Sequence, residues 1–323
     1  MTVAVVFTGG TIASRVDVSA GGAVPALRGA DIVARTPGLA DSGTIEIIDW
    51  GLITASHMTF AQILEIARLL EATLARPEIA GVVVAQGTDS LEETAFAYDL
   101  LVKSDKPVVV TGAMHNSSYP DYDGPANLRA AVACAGAPEL RGQGTLVVLD
   151  GLIVGADIAV KTDAAAMNTF QPRDGDAIGT VADGVVRVTA PRVPVRLPAI
   201  PARAAEPIYL VTGVVGMDGT PIRLLAPTKP AGLVVAAAGV GNTHPDVQAA
   251  ALELRAQGTT VVLATRCPNG APAPIYAFPG GGATWARAGV PLSPLAGLKV
   301  RIALGLGLGA GLAGDELRAV LRA

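Results

Sequence analysis

The chain has 323 residues, 50% hydrophobic, 16% charged and 4% aromatic, with a formal net charge of −4. That length predicts two domains, and the near-balanced charge without a basic run excludes the electrostatic footprint of a nucleic-acid or anionic-membrane binder, leaving a small molecule as the expected partner. Mean hydropathy is +0.47, yet the longest charge-free apolar runs, Gly232–Gly241 and Ile302–Gly314, fall short of the roughly 18–20 residues that cross a bilayer.

In chain order, Met1-Thr2-Val3-Ala4 carries no basic segment and runs straight into an apolar stretch, which predicts no signal peptide and a cytoplasmic location. That stretch, Val3–Phe7, reads as a strand ending in Thr8-Gly9-Gly10-Thr11-Ile12-Ala13. Two glycines permit a sharp turn and leave Thr11 at the carboxyl end of a strand, where open α/β sheets take ligands. The same residues also fit an ordinary strand-to-helix turn. Thr59-Phe60-Ala61-Gln62 fits a capping box and predicts a helix from about residue 60.

A second strand, Gly81–Ala85, leads into Gln86-Gly87-Thr88-Asp89-Ser90 and a helix from about residue 91, with Ser90 and Glu93 as another capping box. Thr88 and Asp89 stand where a helix dipole and free N–H groups favour negative charge. Asp89 is therefore expected to be ionised and able to hold an ammonium group, although the segment reads equally well as a simple helix cap. Strands are predicted at Pro107–Thr111 and Thr145–Leu149. Lys161 follows the uncharged run Ile158-Ala159-Val160. Apolar surroundings would favour its neutral form and make it a base; a side chain snorkelling to solvent would not be one.

Residues 191–207 are rich in proline and suit a linker. Strands then recur at Ile208–Thr212, Gly232–Ala237 and Thr259–Ala264. Alternating strands and helices predict an α/β protein: a larger N-terminal domain, residues 1–190, with a mostly parallel sheet flanked by helices, and a smaller C-terminal α/β domain, residues 208–323. Ser293-Pro294 is expected to open a C-terminal helical region. Gly309–Gly314 fits a dinucleotide fingerprint, but with nine residues after it there is no room for a βαβ unit. Cys134 and Cys267 have no CxxC or histidine-spaced partner and read as buried thiols, so neither metal nor cofactor is expected. His57, His115 and His244 lack the Gly-x-Ser-x-Gly elbow that would support a serine triad.

As an ordered set these segments resemble the bacterial L-asparaginase family. The resemblance rests on Thr8–Ala13, on Gln86-Gly87-Thr88-Asp89-Ser90-Leu91-Glu92-Glu93-Thr94, and on Val110-Thr111-Gly112-Ala113-Met114. It continues through Asp123-Gly124-Pro125-Ala126-Asn127-Leu128, Lys161-Thr162 and Ala238-Gly239-Val240-Gly241-Asn242. It implies an amidohydrolase releasing ammonia from L-asparagine, with Thr11 as nucleophile and Thr88, Asp89 and Lys161 as a second catalytic group. Gly10, Ser56, Thr88, Asp89 and Ala113 would contact the substrate. It further implies a homodimer or homotetramer in which Asn242, His244 and Tyr276 could serve a neighbouring subunit's site.

Three departures accompany the resemblance. Gly21-Gly22-Ala23-Val24-Pro25 holds no aromatic where the family carries a loop tyrosine, and the glutamate that supports this tyrosine is missing near Tyr276-Ala277. Ala55 stands where the family has serine, which leaves Ser56 or backbone amides for the substrate carboxylate. Two other readings follow: a catalytically weak amino-acid-binding or sensing homologue, and an amidase for L-glutamine, D-asparagine or a larger amide.

Overall fold

A computed structural model describes residues 2–39 and 43–322. They divide into two compact units, Met1–Arg196 and Leu197–Ala323. The first opens with β1 (Thr2–Gly9), a hairpin of β2 (Ser14–Asp17) and β3 (Gly22–Pro25), the short α1 (Gly29–Ala34) and β4 (Thr44–Ile53). Next come α2 (Phe60–Leu74), β5 (Ile79–Ala85), α3 (Leu91–Leu101), β6 (Val108–Thr111), α4 (Gly124–Gly136) and β7 (Thr145–Leu149). The unit closes with β8 (Leu152–Gly155), β9 (Ala159–Lys161), β10 (Phe170–Pro172), β11 (Gly179–Ala182) and β12 (Val185–Val188).

Eight strands form one sheet in the order β12-β11-β8-β7-β6-β5-β1-β4. The run from β7 to β4 is parallel, and β8, β11 and β12 extend it antiparallel. The expected mostly parallel α/β sheet is present. Val3–Phe7, Val82–Ala85 and Val108–Val110 are buried throughout, because helices cover both faces of a parallel sheet and continuous β-branched runs survive there. The chain leaves β1 towards β4 on one side, then returns to β5 on the other. The carboxyl ends of β1 and β5 thus flank a topological switch point, where doubly wound sheets open a crevice.

Helix α2 begins as expected. Thr59 accepts from the Gln62 amide while the Gln62 side chain accepts from the Thr59 amide at 2.9 Å, the reciprocal capping box. Its buried face, Phe60, Ile63, Leu64, Ala67, Leu70 and Leu74, follows helical spacing, each large residue contributing about 1.5–3 kcal/mol of burial. At α3 the expected box is absent: Ser90 makes no cap bond with its side chain, which instead donates to the Ala55 carbonyl at 2.8 Å.

The second unit carries β13 (Ile208–Thr212), α5 (Thr220–Arg223), β14 (Gly232–Ala237), α6 (Pro245–Ala256) and β15 (Thr260–Thr265). It ends in α7 (Gly282–Arg287), α8 (Gly297–Gly309) and α9 (Gly314–Val320). Its parallel sheet has the order β13-β14-β15, and Leu233, Val235, Val247, Leu254, Leu263 and Trp285 form its core. The expected start of the C-terminal helical region moves: α8 opens after Ala296, and Ser293 donates its hydroxyl to the Leu321 carbonyl. Cys134 is buried but Cys267 is half-buried. Among the described residues no helix is long and apolar enough to cross a membrane.

Candidate active site

Three loops meet at the carboxyl ends of neighbouring parallel strands. After β1, Gly9 and Gly10 adopt φ of +112° and +78°, a region that L side chains avoid. A Cβ on Gly10 would lie 2.1 Å from the Cα and nitrogen of Gly87. The turn bearing Thr11 is therefore in main-chain contact with the turn bearing Thr88. After β6, a Cβ on Gly112 would fall 2.6 Å from the Gln86 carbonyl oxygen and 3.0 Å from Cγ2 of Thr88. Ala113 thereby joins the same cluster, and its side chain is fully buried.

Thr11 is half-buried, and its hydroxyl makes no hydrogen bond among the described residues. Thr88 is buried and lies 3.0 Å from Nζ of Lys161, whose Nζ also lies 2.9 Å from Oδ1 of Asp89. The lysine comes from β9, which pairs antiparallel with β10 so that Lys161 opposes Phe170. The intervening loop is stiffened by Asp163, whose carboxylate accepts from the Ala165 and Ala166 amides and is held below the usual carboxylate range by those two bonds.

The lysine side chain is 16% exposed and that of Asp89 67%. From its neighbours in sequence Lys161 could be an amine lodged among apolar residues or one that snorkels to solvent. The structure gives it a carboxylate neighbour and a hydroxyl, both within hydrogen-bond reach. Asp89 keeps an open side towards solvent.

Ser56 lies in the turn Ala55–His57 and is exposed. That turn is tied to the start of α3 by the Ser90 bond to the Ala55 carbonyl. Asn242, His244 and Tyr276 belong to the second unit. The Asn242 backbone bridges Ala238, His244 caps α6 by accepting from the Asp246 amide at 3.2 Å, and exposed Tyr276 lies 5.5 Å from the Phe278 ring.

Sequence reasoning gave no role to the segment entering α4. Tyr122 donates its hydroxyl to the Ile12 carbonyl at 2.7 Å. Asp123 accepts from the Met114 and His115 amides at 3.0 Å each and from Nδ2 of Asn127 at 2.9 Å. An Asp and an Asn four residues apart at a helix start, just after a site loop, is the signal that could have been read. Among the described residues no cluster of three His, Cys, Asp or Glu is placed to hold a metal ion.

Residues 2–194 match the family model for the asparaginase N-terminal domain, and residues 208–321 match that for the glutaminase/asparaginase C-terminal domain. The chain belongs to the asparaginase family. It is 36% identical to a probable L-asparaginase of Deinococcus radiodurans over 98% of this chain and 96% of that one. It is 29% identical to an L-asparaginase of Bacillus licheniformis over 90% and 89%. Among solved asparaginase structures, a probable cytoplasmic L-asparaginase from Campylobacter jejuni superposes with a TM-score of 0.86 at 26% identity, covering 99% of this chain and 98% of that one.

Proposed function

We propose that the protein hydrolyses L-asparagine to L-aspartate and ammonia in the cytoplasm, as a homodimer or homotetramer. The observation that carries this reading is the convergence of the Thr11 turn, Thr88, Asp89 and Lys161 at one sheet switch point, with Lys161 bonded to both partners at about 3 Å. Family membership and the named relatives support the same substrate.

In this reading the Thr11 hydroxyl attacks the side-chain carboxamide carbon. A hydroxyl is a weak nucleophile at neutral pH and needs a base. Lys161, acting through Thr88 or a water, takes the proton and later returns one to the leaving nitrogen. The tetrahedral oxyanion is held by backbone amides near Thr88 and Ala113, an effect worth about 3–4 kcal/mol per donor in acyl transfer. Ammonia departs, leaving an ester on Thr11. Water then cleaves the ester, releasing aspartate and restoring the hydroxyl. Asp89 orients Lys161 and binds the substrate's α-ammonium, while the turn carrying Ser56 meets its α-carboxylate.

The experiment is ammonia release from L-asparagine, D-asparagine and L-glutamine by the wild-type chain and by Thr11→Ala. L-Asparagine should be preferred and the variant inert. Thermal stabilisation by L-aspartate without any ammonia release would mark an amino-acid-binding protein instead.

A further inference from the structure

Resting on that reading of the site, we propose that Tyr122 and Asp123 are positioning residues of the reaction: a hydroxyl and a carboxylate on adjacent residues hold the Thr11 turn and the Ala113 loop in register. Each residue reaches a different loop. Tyr122 donates to the carbonyl of Ile12, the residue next to Thr11, at 2.7 Å across 110 positions of sequence. Asp123 takes the amides of Met114 and His115, the two residues that follow Ala113.

The carboxylate is diverted from its local task. Asp123 stands at the N-cap of α4 but makes no side-chain cap bond there, although aspartate is a favoured cap. Its remaining contact, from Nδ2 of Asn127, also turns towards the loop, since the same nitrogen donates to the Gly112 carbonyl at 3.1 Å. Gly112 O, Met114 N and His115 N are thereby fixed on both sides of Ala113. The Ala113 amide between them makes no hydrogen bond among the described residues and is the donor this clamp leaves free for an oxyanion.

Tyr122 acts as a donor and not as a base. Burial, together with the adjacent Asp123 carboxylate, pushes its phenol above the usual range, so it keeps its proton at neutral pH. The loop between the two contacts has its own order. His115 stacks on Tyr119 at 5.0 Å and lies 2.9 Å from Asp121. The Ser117 hydroxyl and amide both donate to the Ser14 carbonyl, just beyond Thr11. A stiff span of main chain thus couples nucleophile and oxyanion donor, whose relative placement governs the rate of acyl transfer.

The test is steady-state hydrolysis of L-asparagine by wild type, Tyr122→Phe and Asp123→Asn, with the thermal midpoint of each. Both changes should lower kcat about tenfold or more while KM stays within about twofold and the midpoint stays near wild type, because misplacement costs rate before it costs binding. A kcat within about twofold of wild type in both variants overturns the proposal, and so does a loss of kcat that merely follows a loss of folded protein. If Asp123→Asn does not fold, Tyr122→Phe decides, since removing one hydroxyl leaves the ring packing in place. A wild-type chain that releases no ammonia overturns the functional reading and this one with it; an active wild type with unaffected variants overturns this one alone.

Discussion

Lys161 donates through one nitrogen to Thr88 and Asp89, at 3.0 and 2.9 Å, so its removal takes a shared partner away from both. Lys161→Met should lower kcat by about 10²–10⁴-fold, the range for a positioned acid–base group, with the circular-dichroism melting curve little changed. Gly10→Ala should behave differently. Its Cβ would collide with the Gly87 backbone at 2.1 Å, and backbone cannot swing aside as a side chain can. Activity and thermal midpoint should fall together, read by kinetics and calorimetry on the same sample. Taken singly, the segments bearing Thr11, Thr88, Asp89 and Lys161 read as well as an ordinary turn, a helix cap and a solvated lysine; only their order along the chain, as a family resemblance, singled these residues out. Tyr122 was not singled out, because its contact spans 110 residues and neither capping nor periodicity rules reach that far.

At the level of elements, strands buried on both faces announced themselves as unbroken apolar runs, and those of β1, β5, β6, β7 and β14 fell where expected. The antiparallel additions β8, β11 and β12 escaped, being four residues each, and β11 and β12 are half in solvent, as at Val185, 57% exposed. The cap rule held where nothing competed for the hydroxyl. Thr59 caps α2, whereas Ser90 and Ser293 give theirs to distant carbonyls. Thr59→Ala should therefore cost about 1 kcal/mol in a denaturant titration and leave kcat unchanged.

Near the start of α6, Asp246 bonds the Arg223 guanidinium and the Gly219 amide, which hold its carboxyl down from 3.8 to about 2. A lowered folded value means stabilisation that is complete above the unfolded value and lost as pH falls through the folded one. Asp246→Asn should remove that portion of the acid-induced loss of stability between pH 3.8 and about 2, measured as melting temperature against pH.

For the molecule as a whole, the far end of α3 is anchored as firmly as its start beside Thr88 and Asp89. Asp99 is 1% exposed and pairs with Arg192 at 2.6 Å, across 93 positions, while also accepting from the Thr145 amide at 2.7 Å. Asp99→Ala would remove the nearer of two carboxylates from Arg192, leaving Asp157 at 3.3 Å, and should cost about 1.5–3 kcal/mol of unfolding free energy, with the KM of surviving folded protein unchanged. No local pattern marked this pair; an aspartate in an otherwise buried helix looks like an exposed position until the fold brings the arginine to it.

The meeting of Gly10 with Gly87 carries a last consequence. Where two bare backbones abut, the floor of the crevice has its dimensions set by strand spacing and offers nothing for substitution to vary. A change in which amide is accepted is to be sought in the side chains around that floor, such as the exposed Ser56 of the Ala55–His57 turn. A search for altered selectivity belongs there, with the floor left untouched.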